Sequence, residues 1–147
     1  MHTDLNYFWH NLKTFSNRTV CIDTATSKSI TYSELETDAD TIANKIKLSN
    51  KGIVFLFTSN TYDCIAAYIG LLKSGNAVLL LDEKLNDEIR NDLIHTYTPE
   101  YVLTSSETAL DHYSNSFKFG SLLFYERNQP SADKIFSELG VLLSTSG

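Results

Sequence analysis

The stretch that decides the fold runs from Gly52 to Asp82 and reads GIVFLFTSNTYDCIAAYIGLLKSGNAVLLLD. Its two ends, IVFLF (53–57) and AVLLLD (77–82), are apolar at nearly every position, which is typical of strands covered on both faces. The segment between them, NTYDCIAAYIGLLKSG (60–75), is apolar almost all round in its middle and predicts a helix packed deep in a domain. The stretch therefore predicts a strand–helix–strand unit of a parallel sheet.

Helix start and stop signals support this prediction. Asn60 or Thr61 can cap the helix of the unit, and Gly75 can end it as the residue after the last turn. Upstream, Thr31 and Glu34 have the spacing of a capping box and predict the start of another helix. These signals divide the chain into short elements joined by short loops.

The remaining chain continues the alternation of strands and helices. Further strands are predicted at TVCID (19–23), YVLT (101–104), SLLFYE (121–126) and GVLLS (140–144), and further helices at 5–15 and 86–97. In the last of these helices, the residues expected to face inward are Ile89, Leu93, Ile94 and Tyr97. Residues 105–119 are polar and give no clear pattern, and NQPSADKIFSEL (128–139) predicts a loop with one or two helical turns.

This order predicts an α/β fold, with a doubly wound, mostly parallel sheet flanked by helices, as a single domain over residues 1–147. In such sheets, ligands bind beyond the carboxyl ends of the strands. The run STSG (144–147) follows the last predicted strand and lies at such an end.

Composition excludes several classes of function. The net charge of −6 is scattered along the chain, which argues against nucleic acid and against an anionic membrane surface as partners. No apolar stretch has transmembrane length, and the amino terminus does not resemble a signal peptide. The two cysteines, Cys21 and Cys64, lie in apolar settings without a CxxC pair. We therefore expect reduced thiols and a cytoplasmic protein.

The common nucleotide and catalytic motifs are absent. There is no GxGxxG, and GLLKSGNA (70–77) has the glycine spacing of a Walker A loop without its Lys and Ser/Thr. That segment ends a predicted helix, so a helix terminus is the favoured interpretation. The four histidines are isolated, and we expect neither a metal site nor a Ser-His-Asp triad.

Three segments carry a family resemblance: ITYSEL (30–35), LKSGNAVLLLD (72–82) and LGVLLSTSG (139–147). In this order and separation they resemble the first three core motifs of the adenylate-forming (AMP-binding) superfamily. That superfamily includes acyl-CoA synthetases, the adenylation domains of nonribosomal peptide synthetases, and luciferases. The resemblance extends from about residue 30 to the end of the chain and implies the N-terminal subdomain of a larger adenylation domain.

The third motif is the one that bears on chemistry. By resemblance, Thr145, Ser146 and Gly147 begin the loop that contacts the phosphates of ATP, and the rest of that loop is not in this chain. The resemblance implies no catalytic residue and no metal ligand within the chain. Three positions depart from the family pattern, namely Ser74, Leu80 and Ser144, where Ala, Pro and an aromatic residue are common.

The resemblance implies an ATP-dependent ligase. In that family a carboxylic or amino acid attacks the α-phosphate of ATP in the presence of Mg²⁺, and pyrophosphate leaves. The acyl-AMP is then transferred to a thiol of CoA or of a phosphopantetheine on a carrier protein. The implied partners are the remainder of the adenylation domain and the acid substrate, and we expect the 147-residue chain alone to be inactive.

Two alternatives from another class remain open at this stage. The chain can be a non-catalytic binding or interaction module derived from the same fold, or an unrelated flavodoxin-like domain. The sequence predicts neither the acid that is activated nor whether CoA or a carrier protein accepts it, since the specificity pocket of the family lies downstream.

Overall fold

The computed structural model describes residues 7–24, 26–46, 48–131 and 134–143. Its helices are a 3₁₀ helix at Phe8–Phe15 and the α-helices α1 (Tyr32–Lys45), α2 (Tyr62–Lys73) and α3 (Asp87–Tyr97). Its strands are β1 (Thr19–Asp23), β2 (Lys28–Thr31), β3 (Ile53–Thr58), β4 (Ala77–Asp82), β5 (Tyr101–Thr104), β6 (Tyr113–Phe119), β7 (Leu122–Arg127) and β8 (Val141–Leu143).

Six of these strands form the main sheet, in the order β6-β7-β5-β3-β4-β8. The pairs β3–β4, β3–β5 and β4–β8 are parallel, whereas β5–β7 and β6–β7 are antiparallel. At the centre, Val54 of β3 lies beside Val78 of β4 on one side and Tyr101 of β5 on the other. The predicted mostly parallel sheet is confirmed, with an antiparallel hairpin added at one edge.

Both faces of the sheet are covered, which explains why its central strands are apolar at every position. Val54 and Leu56 point to the face covered by α1 and α2. Phe55 and Phe57 point to the opposite face, where Ile94 of α3 packs. Since the helices lie on the two sides of the sheet, the predicted doubly wound fold is confirmed.

The predicted helix termini are found where the capping residues stand. At the start of α1, Thr31 N donates to Glu34 Oε2 at 2.7 Å and Glu34 N donates to Thr31 Oγ1 at 3.2 Å, which completes the capping box. Of the two candidates at the start of α2, Thr61 is the cap. Gly75, with φ of +80°, follows the last turn of α2 as expected.

The amino-terminal part differs from the prediction. The first helix is a 3₁₀ helix that buries Leu12, and Leu5 lies outside the described residues. Residues 28–31, for which the sequence predicted no strand, form β2, which pairs antiparallel with β1 in a separate two-stranded sheet. β2 has four residues and buries only Ile30, so its sequence lacks the apolar alternation of a strand in a larger sheet.

The polar stretch at 105–119 contains β6, which the sequence did not predict. This strand lies at the edge of the main sheet and pairs only with β7. A register shift between Asn115 and Phe117 breaks its side-chain alternation. Polar residues and a bulge protect an edge from pairing with another chain, and they also remove the pattern by which a strand is predicted.

Two further segments were predicted only in outline. The described parts of 128–139 form a loop with one hydrogen-bonded turn, in which Leu139 N donates to Phe136 O at 3.1 Å. Lys51 Nζ holds this loop by donating to Ser137 O at 2.6 Å. In α3, Leu93 and Ile94 pack inward, but Ile89 is 50% exposed and Tyr97 is 45% exposed. Arg90, nearly one helical turn before Leu93, faces inward instead, and its guanidinium lies over the Phe57 ring of β3.

Candidate functional site

A crevice opens where β3 and β4 end at the same edge of the sheet. The chain leaves β3 toward α2 on one face and leaves β4 toward α3 on the other, so the two connections diverge. Such a switch point is where doubly wound sheets bind ligands. The crevice has a volume of about 390 Å³ and is lined by Thr58, Ser59, Asn60, Leu80, Leu81, Asp82, Glu83 and Lys84.

Hydrogen bonds between neighbouring strands fix the walls of this crevice. Thr58 Oγ1 donates to Leu81 O at 3.1 Å, and Glu83 N donates to Thr58 O at 3.2 Å. Ser105 Oγ, just beyond β5, donates to Glu83 Oε2 at 3.2 Å. The turn after β4 is therefore bound to the ends of both β3 and β5.

The charge of the crevice is mixed. Asp82 and Glu83 contribute carboxylates, and Lys84 contributes an ammonium group. The amino end of α2, which would otherwise favour an anion, already has Asp63 in its first turn. Asp63 Oδ2 accepts from Ser121 N and Ser121 Oγ, both at 2.8 Å. The described residues of the crevice therefore do not form a phosphate cradle by themselves.

The predicted phosphate-loop residues, Thr145, Ser146 and Gly147, lie outside the described residues. The strand that leads to them is described: β8 runs parallel to β4, with Leu143 beside Leu80. The carboxyl end of β8 is therefore at the same edge of the sheet as the crevice.

The structure also shows what the Walker-like segment does. Asn76 is buried, and its Oδ1 accepts from Gly52 N at 3.1 Å. Its Nδ2 donates to Ile46 O at 3.2 Å and to Ser74 Oγ at 2.9 Å. The segment is the end of α2 bound to the start of β3, as predicted, and the serine that departs from the family pattern is a partner of this buried amide.

Arg90 is the residue near the crevice that the sequence analysis missed. Its Nη2 donates to Glu83 O at 3.2 Å, and its Nη1 lies 3.0 Å from Asp87 Oδ1. The guanidinium carbon is 5.0 Å from the centre of the Phe57 ring. The sequence did not predict the burial of Arg90, because an arginine in a helix normally points to solvent. Its burial depends on the rotation of α3 about its axis relative to the sheet.

Two kinds of feature are absent from the described part of the chain. No three side chains of His, Cys, Asp or Glu in it are grouped so that they could hold a metal ion. None of its helices is long and apolar enough to cross a bilayer.

The sequence as a whole was compared with families of known proteins. A model of the family described as AMP-binding enzyme matches residues 8–136. This chain belongs to the AMP-binding enzyme family. The membership confirms the family resemblance and does not favour an unrelated flavodoxin-like domain. The match contains the first two motifs, whereas the third, at 139–147, lies beyond the matched residues.

Curated members of the AMP-binding enzyme family are similar over part of the chain. The D-alanine–D-alanyl carrier protein ligase of Streptococcus pyogenes is 31% identical over 83 residues, which cover 54% of this chain and 16% of that enzyme. The corresponding ligase of Streptococcus equi is 29% identical over 79 residues. The chain therefore spans about one sixth of the length of the curated relatives that it matches.

Two solved structures share the fold of this chain. IdnL1 superposes with a TM-score of 0.65 at 14% identity, covering 88% of this chain and 28% of that one. The N-terminal subdomain of Klebsiella oxytoca NpsA superposes with a TM-score of 0.60 at 16% identity, covering 69% of this chain and 27% of that one. At such identities the superposition establishes the architecture alone.

Proposed function

We propose that this chain is the N-terminal part of an ATP-dependent ligase that converts a carboxylic or amino acid into its acyl-adenylate. The observation that carries the proposal is the family match over residues 8–136. The crevice at the carboxyl ends of β3 and β4 supports it, because that is the position at which a sheet of this type receives a ligand.

The proposed reaction has two steps. A carboxylate oxygen of the acid forms a bond to the α-phosphorus of ATP while the bond to pyrophosphate breaks. A thiol of CoA or of a carrier-protein phosphopantetheine then attacks the acyl carbonyl, and AMP leaves. With Mg²⁺ on the nucleotide, catalysis depends mainly on positioning the reactants and on neutralising the phosphate charge.

In this proposal the chain supplies the first residues that hold the phosphates. Thr145, Ser146 and Gly147 follow β8, and their backbone N–H groups and hydroxyls are suited to phosphate oxygens. The described crevice has carboxylates and a single ammonium group, so the remaining positive charge must come from the other parts of the enzyme. This is why we expect the 147-residue chain alone to be inactive.

We also propose a cytoplasmic location. It is supported by the two free thiols, Cys21 and Cys64, and by the intracellular supply of ATP that such a reaction needs.

Exchange of labelled pyrophosphate into ATP tests the proposal. The intact protein that contains this chain is expected to catalyse exchange that depends on an added acid. D-Alanine is the first acid to test because a relative is named for it, followed by a panel of other carboxylic and amino acids. The 147-residue chain alone is expected to show no exchange.

Variants of the intact protein locate the phosphate contacts. Joint replacement of Thr145 and Ser146 by Ala is expected to lower the exchange rate about tenfold or more. Thr41→Ala, at an exposed position of α1, serves as the control and should leave the rate unchanged. Robust exchange by the isolated chain, or no exchange by the intact protein with any acid, would contradict the proposal.

A further inference from the structure

We propose that Arg90 is a positioning residue for the ligase reaction, and that it acts by holding the turn Asp82–Leu85 in place at the crevice. This inference rests on the proposed function. Arg90 does not line the crevice; Asp82, Glu83 and Lys84 of the turn do. Its influence on a bound substrate must therefore pass through the turn.

The turn is tied to its surroundings mainly through one residue, Glu83. The backbone N–H of Glu83 donates to Thr58 O at 3.2 Å, and its carboxylate accepts from Ser105 Oγ at 3.2 Å. The third tie is the carbonyl of Glu83, which accepts from Arg90 Nη2 at 3.2 Å. These three bonds hold the backbone and side chain of Glu83 against the end of β3, the residue after β5, and α3, respectively.

Arg90 is itself held so that it can orient this carbonyl. Asp87 Oδ1 lies 3.0 Å from Nη1, one turn earlier on α3. The guanidinium also lies over the Phe57 ring of β3, with 5.0 Å between its carbon and the ring centre. A planar group that is paired at one edge and packed on one face has little freedom, so the Nη2 donor points in a defined direction.

The burial of Arg90 is costly for folding. Only 11% of its side chain is exposed, and its Nε is a buried polar atom without a partner among the described residues. Removing one partner of an ion pair is strongly destabilising when the other charge stays buried, but the side chain of Asp87 is 86% exposed and is solvated without Arg90. The Phe57 ring beneath the guanidinium suits an apolar side chain of similar volume. The stability of the fold therefore does not explain why residue 90 is an arginine. The hydrogen bond by which Arg90 holds the turn Asp82–Leu85 does explain it.

Arg90→Met in the intact protein distinguishes a role of Arg90 in fold stability from a role in positioning the turn. Methionine fills a similar volume and packs on Phe57 but cannot donate to Glu83 O. The melting temperature and the kinetic constants of both half-reactions, adenylation and thiol transfer, are measured. Arg18→Met is the matched control, because Arg18 also lies over a phenylalanine ring, at 5.3 Å from Phe15, but outside the main sheet.

We expect R90M to weaken substrate binding without lowering the stability of the fold. R90M should keep its melting temperature, while the KM for ATP or for the thiol acceptor rises about threefold or more with little change in kcat. Arg90→Lys, which retains the positive charge and N–H donors on a single nitrogen, should raise these KM values less than R90M does. R18M should leave both KM values unchanged.

Three outcomes would overturn the inference. They are unchanged KM values for R90M in both half-reactions, failure of R90M to fold, and an equal rise in KM for R18M. Absence of exchange by the wild-type protein would instead refute the proposed function, so the two failures are distinguishable.

Discussion

Glu34 shows how a single side chain links sequence, local structure and pH. Its carboxylate accepts from Thr31 N at 2.7 Å and from Thr31 Oγ1 at 3.0 Å. The hydrogen bond from the backbone N–H of Thr31, followed by that from its hydroxyl, holds the pKa of Glu34 below its usual range. These bonds are stronger to the ionised carboxylate than to the protonated acid, so the stability at the start of α1 depends on pH.

This dependence gives a prediction with a definite sign. Because the folded-state pKa of Glu34 lies below the unfolded value of about 4.3, its contribution is complete above about pH 5 and is lost as the pH falls through the folded-state pKa. We expect Glu34→Gln to lower the melting temperature at pH 7 and to flatten its fall between about pH 5 and pH 3. Thermal unfolding across that range measures both effects.

The control for this experiment is Glu107→Gln, at an exposed position away from any helix. It should leave the pH profile as in the wild-type chain. If E34Q and the wild type lost stability in parallel on acidification, the capping box would not be the origin of the effect.

Among the elements, the helices α1 and α2 approach each other closely at Gly70. A Cβ built on Gly70 would lie 2.8 Å from Ala39 O and 2.8 Å from Ile42 Cβ, closer than such atoms normally come. The glycine in the middle of α2 is unfavourable for the helix itself. The packing requires glycine here, because any side chain at position 70 would force the two helices apart.

Gly70→Ala therefore tests the packing of the two helices. Alanine is the better helix former, but the added methyl group is expected to overpack the contact and to destabilise the fold by roughly 1–3 kcal/mol. Urea unfolding measures the change. Gly140→Ala, where an added Cβ meets nothing within 4 Å, is the control and should be nearly neutral. A G70A chain as stable as the wild type would refute this account.

Over the whole molecule, we expect the local stability of a strand to be higher when more strands and helices pack around it. β3 has a strand on each side and helices on both faces, whereas β1 and β2 pair only with each other. Ile22 of β1 is 61% exposed. We expect amide hydrogen exchange to be slowest in β3 and much faster in β1 and β2. Equal protection of these strands, measured by mass spectrometry or NMR, would contradict this expectation.

The same difference in coverage determines what the sequence could predict. β3 and β4 are buried on both faces and therefore appear as continuous apolar runs. β2 and β6 lie in a small hairpin or at an edge, where tertiary pairing makes a strand of residues with little apolar pattern. The interior strands were thus predictable from their apolar runs, whereas β2 and β6 depended on their partners.

The candidate site likewise has one feature that the sequence predicted and others that it did not. Its place at the carboxyl edge followed from the order of strands and helices. The contacts of Glu83 with Ser105 and Arg90 did not, because they depend on the order of strands across the sheet and on the rotation of α3. A shift of one residue along a helix turns a side chain by about 100°, which is enough to exchange the places of Ile89 and Arg90.

The late position of β8 in the chain has a consequence for biosynthesis. β4 is among the most apolar strands, and its outer edge is paired only with β8. A ribosome releases Ala77–Asp82 well before Val141–Leu143, so the emerging chain can assemble β3, β4 and β5 while β4 is still an open edge. Such an edge is a template for pairing with other chains. Between the translation of β4 and that of β8, the edge of β4 is thus open to pairing with other chains.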